Sequence, residues 1–293
     1  MKAPFHFSVY DSTLKTVPVN LDDNHEIRNW LKFYAKHRSI SQDDSLPRPE
    51  IVQQVLVSNL VPPSTLYETR DGTITKAIGR LTHAPDSVIS YLTDLYYSKM
   101  FSGMIFIDSL LEEVRARENE KLICWIPERA TKTMELLSNF AFEARRVHLM
   151  LRNIILETPK HPDNIPAFIE SDSTLIPVNR NRFPCITLNE LMYHTQLKWI
   201  ELKHSSHERE NNLRSYQSTS SPHMGVIQYD DYRLDEKGGF LDSLNICIST
   251  LYSRGVREIT CEVDVEQKIK QLFLNAGFGI DYSLFQMELD LVK

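Results

Sequence analysis

The sequence predicts an α/β (α+β) protein made of two copies of one unit. Three observations carry this. Helical and extended signals alternate through the first 152 residues. An Asp71-Gly72 pair sits between two β-prone runs. Short segments of the first half recur in the second, in the same order and at nearly constant spacing.

Phe5 to Tyr10 is short and aromatic-rich, as strands are. Ile27, Trp30, Leu31 and Tyr34 follow at the spacing of an amphipathic helix. Pro49 opens a second helix carrying Val52, Val55 and Leu56, and Pro62-Pro63 stops it because neither can donate to a helix ladder. Residues 66–81 read as a hairpin turning at Asp71-Gly72, with both turn residues expected at positive φ. Val88 to Tyr97 is apolar enough for a central strand. Ile107, Leu110, Leu111 and Val114 mark a third helix, Leu122 to Ile126 a buried strand, Thr131 to Phe140 a helix, and Arg145 to Arg152 a final strand.

Phe106-Ile107-Asp108-Ser109-Leu110 returns as Phe240-Leu241-Asp242-Ser243-Leu244, 134 residues later. Leu122-Ile123-Cys124 returns as Ile259-Thr260-Cys261 at 137, Leu136–Phe142 as Leu272–Phe278 at 136, and Met150 as Met287 at 137. Four ordered matches argue for duplication. The expected domains are 1–155 and 156–293, the second less complete. Residues 157–185 hold five prolines and begin with a linker, about 156–185. Thr187 and Glu190 form a capping box that opens a helix running through Trp199 and His204. Residues 215–223 (SYQSTSSPH) read as a polar loop, with no Asp-Gly hairpin in the second copy.

The net charge of −6 disfavours a mainly electrostatic nucleic-acid or anionic-membrane binder. No run approaches the roughly 18 apolar residues of a membrane span. The opening residues have no apolar stretch of signal-peptide length, so a cytoplasmic protein is expected. Cys124, Cys185, Cys247 and Cys261 are widely spaced, which suits buried reduced thiols better than disulfides or a zinc finger. His194, His204 and His207 form the one metal-like cluster, and a solvated face explains them better than zinc, so no metal is expected.

The helix–helix–hairpin–central strand order, the run DLYYSKMFSGMIFIDSLL at residues 94–111, and the segments ending in Phe142 and Gly277-Phe278 together resemble the GNAT superfamily of N-acetyltransferases, present in tandem. The resemblance implies two domains, each a mixed, mostly antiparallel sheet flanked by helices, and acetyl-CoA or another acyl-CoA as donor. It implies that Leu95, Tyr97, Ser102, Gly103, Met104, Ile105 and Phe106, with Gly238 and Gly239 in the second copy, hold that donor. Backbone N–H groups at a helix N-terminus would cradle its pyrophosphate. The sequence departs from the pattern where Ser102 replaces an arginine, Ile105 and Ile107 replace small residues, Leu137 and Phe273 stand at the tyrosine position, and Ala141 replaces a glycine.

Asp94 is a candidate general base, set against a structural strand-end carboxylate; Tyr96 and Tyr97 are candidate acids or acyl contacts, set against packing tyrosines. His83 could reach the cleft or lie on the surface, and Cys124 and Cys261 read as core fillers. The expected activity is acyl transfer to an amine of a small molecule or peptide. Two alternatives stay open: a catalytically inactive tandem binding protein, or a transferase using a carrier-protein or aminoacyl-tRNA donor. The oligomeric state is left open.

Overall fold

The computed structural model describes residues 13–37, 47–57, 62–83, 87–156, 168–173, 177, 183–204, 213–229, 240–264 and 269–291. The strand expected at Phe5 to Tyr10 lies outside them. The first half runs β1 (Leu14–Pro18), α1 (Asn24–His37), α2 (Pro49–Val57), β2 (Ser64–Asp71), β3 (Ile74–His83), β4 (Ile89–Tyr97), α3 (Met100–Ala116), β5 (Lys121–Pro127), α4 (Thr131–Asn139) and β6 (Glu143–Ile154). The second half runs β7 (Phe168–Ser173), a short 3₁₀ turn (Phe183–Cys185), α5 (Leu188–Leu197), β8 (Trp199–His204), β9 (Leu213–Ser218), β10 (Met224–Tyr229), α6 (Phe240–Ser253), β11 (Glu258–Asp264), α7 (Ile269–Asn275) and β12 (Gly279–Asp290).

Local chemistry accounts for most of these boundaries. Asp23 caps α1 by accepting the His25 N–H at 2.8 Å, and the stripe Ile27, Trp30, Leu31 and Tyr34 is buried. The β2–β3 hairpin forms as expected, but its two-residue loop is Gly72-Thr73, because Asp71 pairs with Ile74. Only the glycine takes positive φ, at +61°. That places Gly at the first loop position, the arrangement a type II′ turn uses.

Two expectations in the second half are corrected. Helix α5 ends at Leu197, because Lys198 takes a φ of +45° and turns the chain, and Trp199–His204 pairs as β8 with β7 and β9. Residues 215–218 belong to β9, so a β9–β10 hairpin exists without an Asp-Gly turn. The polar residues of this strand are buried because they satisfy neighbouring loops. Ser218 Oγ donates to Leu197 O at 2.7 Å, and Gln217 Nε2 donates to Pro222 O at 2.9 Å.

Among the described residues, all twelve strands form one sheet, ordered β1-β2-β3-β4-β5-β12-β6-β11-β10-β9-β8-β7. Pairing is antiparallel except at β4–β5 and β10–β11. The two halves exchange their last strands at the centre: β12 lies against β5, and β6 lies against β11. The register makes Leu151 the structural counterpart of Met287, since Leu151 faces Cys261 and Met287 faces Cys124. The expected Met150–Met287 match is therefore off by one, and the Leu151–Met287 spacing of 136 equals that of Phe142 and Phe278.

Helices α1 and α2 cover one face of the first half, in a core that also takes Ile186, Leu188, Leu191 and Met192 from the second half. Helices α3 and α4 cover the other face, over Leu81, Leu92 and Leu122. Among the described residues no helix is long and apolar enough to cross a membrane.

Candidate functional site

The two parallel pairs share one design. β4 pairs with β5 only from Ile89↔Lys121 to Leu92↔Cys124, and β10 pairs with β11 only from Met224↔Glu258 to Ile227↔Cys261. Each ladder has four rungs and closes at a cysteine of the repeat. Beyond that point the strands part and open a cleft. In β4 the cause is local: Asp94 has a φ of +54°, and the β3–β4 register slips between Ile78↔Tyr96 and Arg80↔Thr93. A left-handed residue inside a strand makes a bulge that bends it away.

The N-terminal cleft is occupied by the protein itself. Asp94 is fully enclosed and accepts from Arg80 Nε at 3.0 Å, from Thr93 Oγ1 at 3.2 Å, and from the Leu188 N–H at 3.0 Å to each oxygen. Burial pushes its carboxyl above the usual range, against the pull of Arg80 and the Leu188 N–H. The Arg80 guanidinium also donates to Ile186 O. Residues 186–188 thus pack against this opening, and Asp94 is tied into an internal ion pair. Tyr96 packs edge-on against Tyr34, with ring centroids 5.3 Å apart. Tyr97 lies against α3, and burial raises its hydroxyl pKa.

The residues expected to hold a phosphate are likewise engaged in packing. A Cβ at Gly103 would sit 2.9 Å from Leu136 Cδ2 and 3.0 Å from Tyr97 Cγ. The glycine therefore admits these side chains rather than a ligand. Ser102 caps the helix, accepting the Lys99 N–H at 3.3 Å and donating to Lys99 O at 2.7 Å. Phe106 is buried with its ring over Gly79, and Leu95 is buried in the same core. Met104 and Ile105 are half-buried. These side chains are taken up in packing and helix capping. His83 is at the far end of β3, bonded to Ser90 Oγ at 2.9 Å and away from the parting strands. Gly238, Gly239 and His207 lie outside the described residues.

Among the described residues the C-terminal cleft is open. A cavity of about 190 Å³ runs along the β10–β11 ladder, from Met224 and Glu258 to Gln228, Tyr229 and Glu262 just past its last rung. Val226 faces Thr260, Thr260 faces Arg152, and Glu262 faces Met150, so these cross-strand partners share one face of the sheet. Val226, Thr260, Glu262 and Met150 line the cavity, together with Glu190, Tyr193 and His194 of α5 and Tyr282 of β12. Glu258 pairs with Arg152 at 2.9 Å. Glu190 completes the capping box with Thr187, accepting its N–H at 2.9 Å. Tyr193 Oη donates to Met224 Sδ at 3.0 Å, and burial with the nearby Glu258 charge raises its pKa.

Glu262 is the carboxylate set deepest in this cleft, one residue past the last β10–β11 rung and 8% exposed. His148 Nδ1, on β6, donates to its Oε1 at 2.8 Å. An ionised carboxylate can only accept, so toward an ionised Glu262 this ring nitrogen is the donor. The other ring nitrogen lies 3.8 Å from Asp264 Oδ2, and Trp125 packs edge-on against the ring at 4.3 Å. Neither Glu262 nor His148 was expected from the sequence. The repeat carried a signal: the residue after the shared cysteine is Trp125 in one copy and a carboxylate in the other.

Among the described residues, no group of three or more His, Cys, Asp or Glu side chains is arranged to hold a metal ion. No family model and no curated protein matches the sequence. Solved structures do match in shape. A tandem GNAT protein from the clavulanic acid biosynthesis pathway superimposes with a TM-score of 0.61 at 12% identity, over 96% of this chain and 99% of its own. A GCN5-related N-acetyltransferase from Sphaerobacter thermophilus gives 0.60 at 15% identity, over 98% of each chain. An acetyltransferase-like structure from Pyrococcus horikoshii gives 0.58 at 13%, over 98% of this chain and 92% of its own. At these identities the likeness concerns the fold alone, and this chain has the tandem GNAT fold.

Proposed function

We propose that a protein with this fold, and with one of its two clefts open, is an N-acyltransferase. In this reading it moves an acetyl or other acyl group from acyl-CoA to an amine of a small molecule or peptide, and it works from the C-terminal half. The observation that carries the reading is the asymmetry of the clefts. The β10–β11 opening holds a cavity lined by Glu262, whereas residues 186–188 occupy the β4–β5 opening. A cavity of about 190 Å³ suits the reacting ends of a thioester and an amine rather than a whole coenzyme. The β10–β11 ladder has its last rung at Ile227↔Cys261, so Gln228 and Tyr229 follow it directly. Gln228 and Tyr229 there would meet the amide-bearing arm of the donor. The N-terminal half then serves as scaffold: it completes the sheet and supplies β6 to the working half.

The filled N-terminal cleft also favours a second reading, a catalytically inactive tandem protein that binds its small molecule without turnover. One pair of measurements separates the two. At a concentration 100 times its dissociation constant, a ligand stabilises the folded state by about 2.7 kcal/mol, a shift that thermal unfolding resolves. Acetyl-CoA should stabilise the protein and should lose its thiol when primary amines are added. Stabilisation without thiol release selects the binding protein. No stabilisation and no release rejects acyl-CoA as the donor.

A further inference from the structure

We propose that Glu262 takes the proton from the acceptor amine, and that His148, from the exchanged strand β6, positions it. This rests on the acyl-transfer reading of the same cavity. Glu262 lines the cavity at the point where the strands part, which is where an amine and a thioester carbonyl could meet. Its carboxylate is nearly enclosed, and its hydrogen bond with His148 gives it a fixed orientation. His148 is in turn wedged by Trp125 on one side and has Asp264 beyond its second nitrogen. Glu262, His148 and Trp125 come from β11, β6 and β5, so the arrangement exists only because the halves exchange their last strands.

The repeat makes the pair conspicuous. In the other half, the register puts Trp125 at the position of Glu262 and Leu284 at the position of His148. The same backbone thus accepts an apolar pair there, so fold maintenance does not require a buried carboxylate and imidazole in the C-terminal cleft.

The proton balance is simple. Glu262 accepts one proton from the acceptor ammonium. The freed nitrogen bonds to the thioester carbonyl carbon, the C–S bond breaks with its electron pair going to sulfur, and the nitrogen's second proton ends on the thiolate. Glu262 then returns its proton to solvent. Among the described residues, the other titratable or charged groups around the cavity are Glu190, Tyr193, His194, Tyr229, Glu258 with its partner Arg152, Cys261, Asp281 and Tyr282, with Asp264 beyond His148.

The test uses the full chain with acetyl-CoA and a panel of a diamine, an amino sugar, an amino acid and a peptide with a free N-terminus, following thiol release against pH. Glu262→Gln should lower kcat at least about 100-fold, the usual contribution of a general base, while the KM for acetyl-CoA stays within about threefold. It should also abolish the acid limb of the pH profile. His148→Leu, which copies the other half, should fold and lose about tenfold, the value of one hydrogen bond to a charge. His148→Gln, which keeps a donor, should recover most of that loss. Wild-type turnover that survives Glu262→Gln with an unchanged pH profile overturns this assignment alone. His148→Gln as impaired as His148→Leu overturns the positioning role. A wild-type chain that neither binds acetyl-CoA nor releases thiol removes the acyl-transfer reading, and this one with it.

Discussion

The main-chain N–H of Leu188 points at the Asp94 carboxylate, 3.0 Å from each oxygen, across 94 residues of chain. Leu188 is the first residue of α5, so a buried anion from the first half sits at the positive end of a helix from the second. One contact thereby closes the N-terminal cleft and anchors the helix that lines the C-terminal cavity.

Asp94→Asn should therefore reduce stability rather than chemistry. The Arg80 side chain is only 1% exposed and would be left without its counter-charge, a situation that costs about 3–5 kcal/mol. Thermal unfolding should show the loss, and kcat per folded molecule should stay near wild type. Replacing both residues with apolar side chains of similar volume should recover much of the stability.

At Gly103 a phosphate cradle and a packing site make opposite forecasts. Gly103→Ala gains about 1 kcal/mol of helix propensity but overpacks against Leu136 and Tyr97, which costs about 1–3 kcal/mol. The expected result is a modest fall in Tm with unchanged acetyl-CoA affinity in calorimetry. An affinity loss at unchanged Tm would return the donor to the N-terminal half.

His83 should make stability fall on acidification. Burial, helped by the Arg117 charge, lowers its pKa from 6.5 to about 4. Between those values the unfolded chain binds the proton more readily, so stability is complete above about pH 6.5 and declines as pH falls toward 4. The side chain is only half-buried, so solvent screens part of the effect. Denaturant titrations from pH 4 to 7 should show a slope that His83→Gln reduces in this window alone.

A fragment of residues 1–155 should not fold stably as a monomer. It would leave β5 without β12, and β6 without either of its neighbours, β11 and β12. Exposed strand edges promote pairing with other chains. Size-exclusion chromatography should find aggregates or dimers, and hydrogen exchange should find β6 unprotected in any monomer. A stable monomer with a protected β6 would show that the halves fold independently.

The sequence by itself determined the elements whose cause is local. The α1 stripe, Pro49 at the start of α2, the Thr187–Glu190 box and three of the four matched segments could be read directly, because periodicity, capping and repetition are written in short stretches of chain. The β8 and β9 strands could not. Polar residues such as Gln217 and Ser218 lie in a sheet only because distant carbonyls accept their hydrogen bonds. The site was out of reach for the same reason. Asp94 and Gly103 match a motif, yet their roles are set by Leu188 and Leu136, which spacing does not bring near them. Glu262 and His148 lie 114 residues apart and meet only across exchanged strands. Tertiary structure decided which cleft stays open, because burial and partner geometry, not residue type, determine whether a carboxylate holds a fold together or faces a cavity.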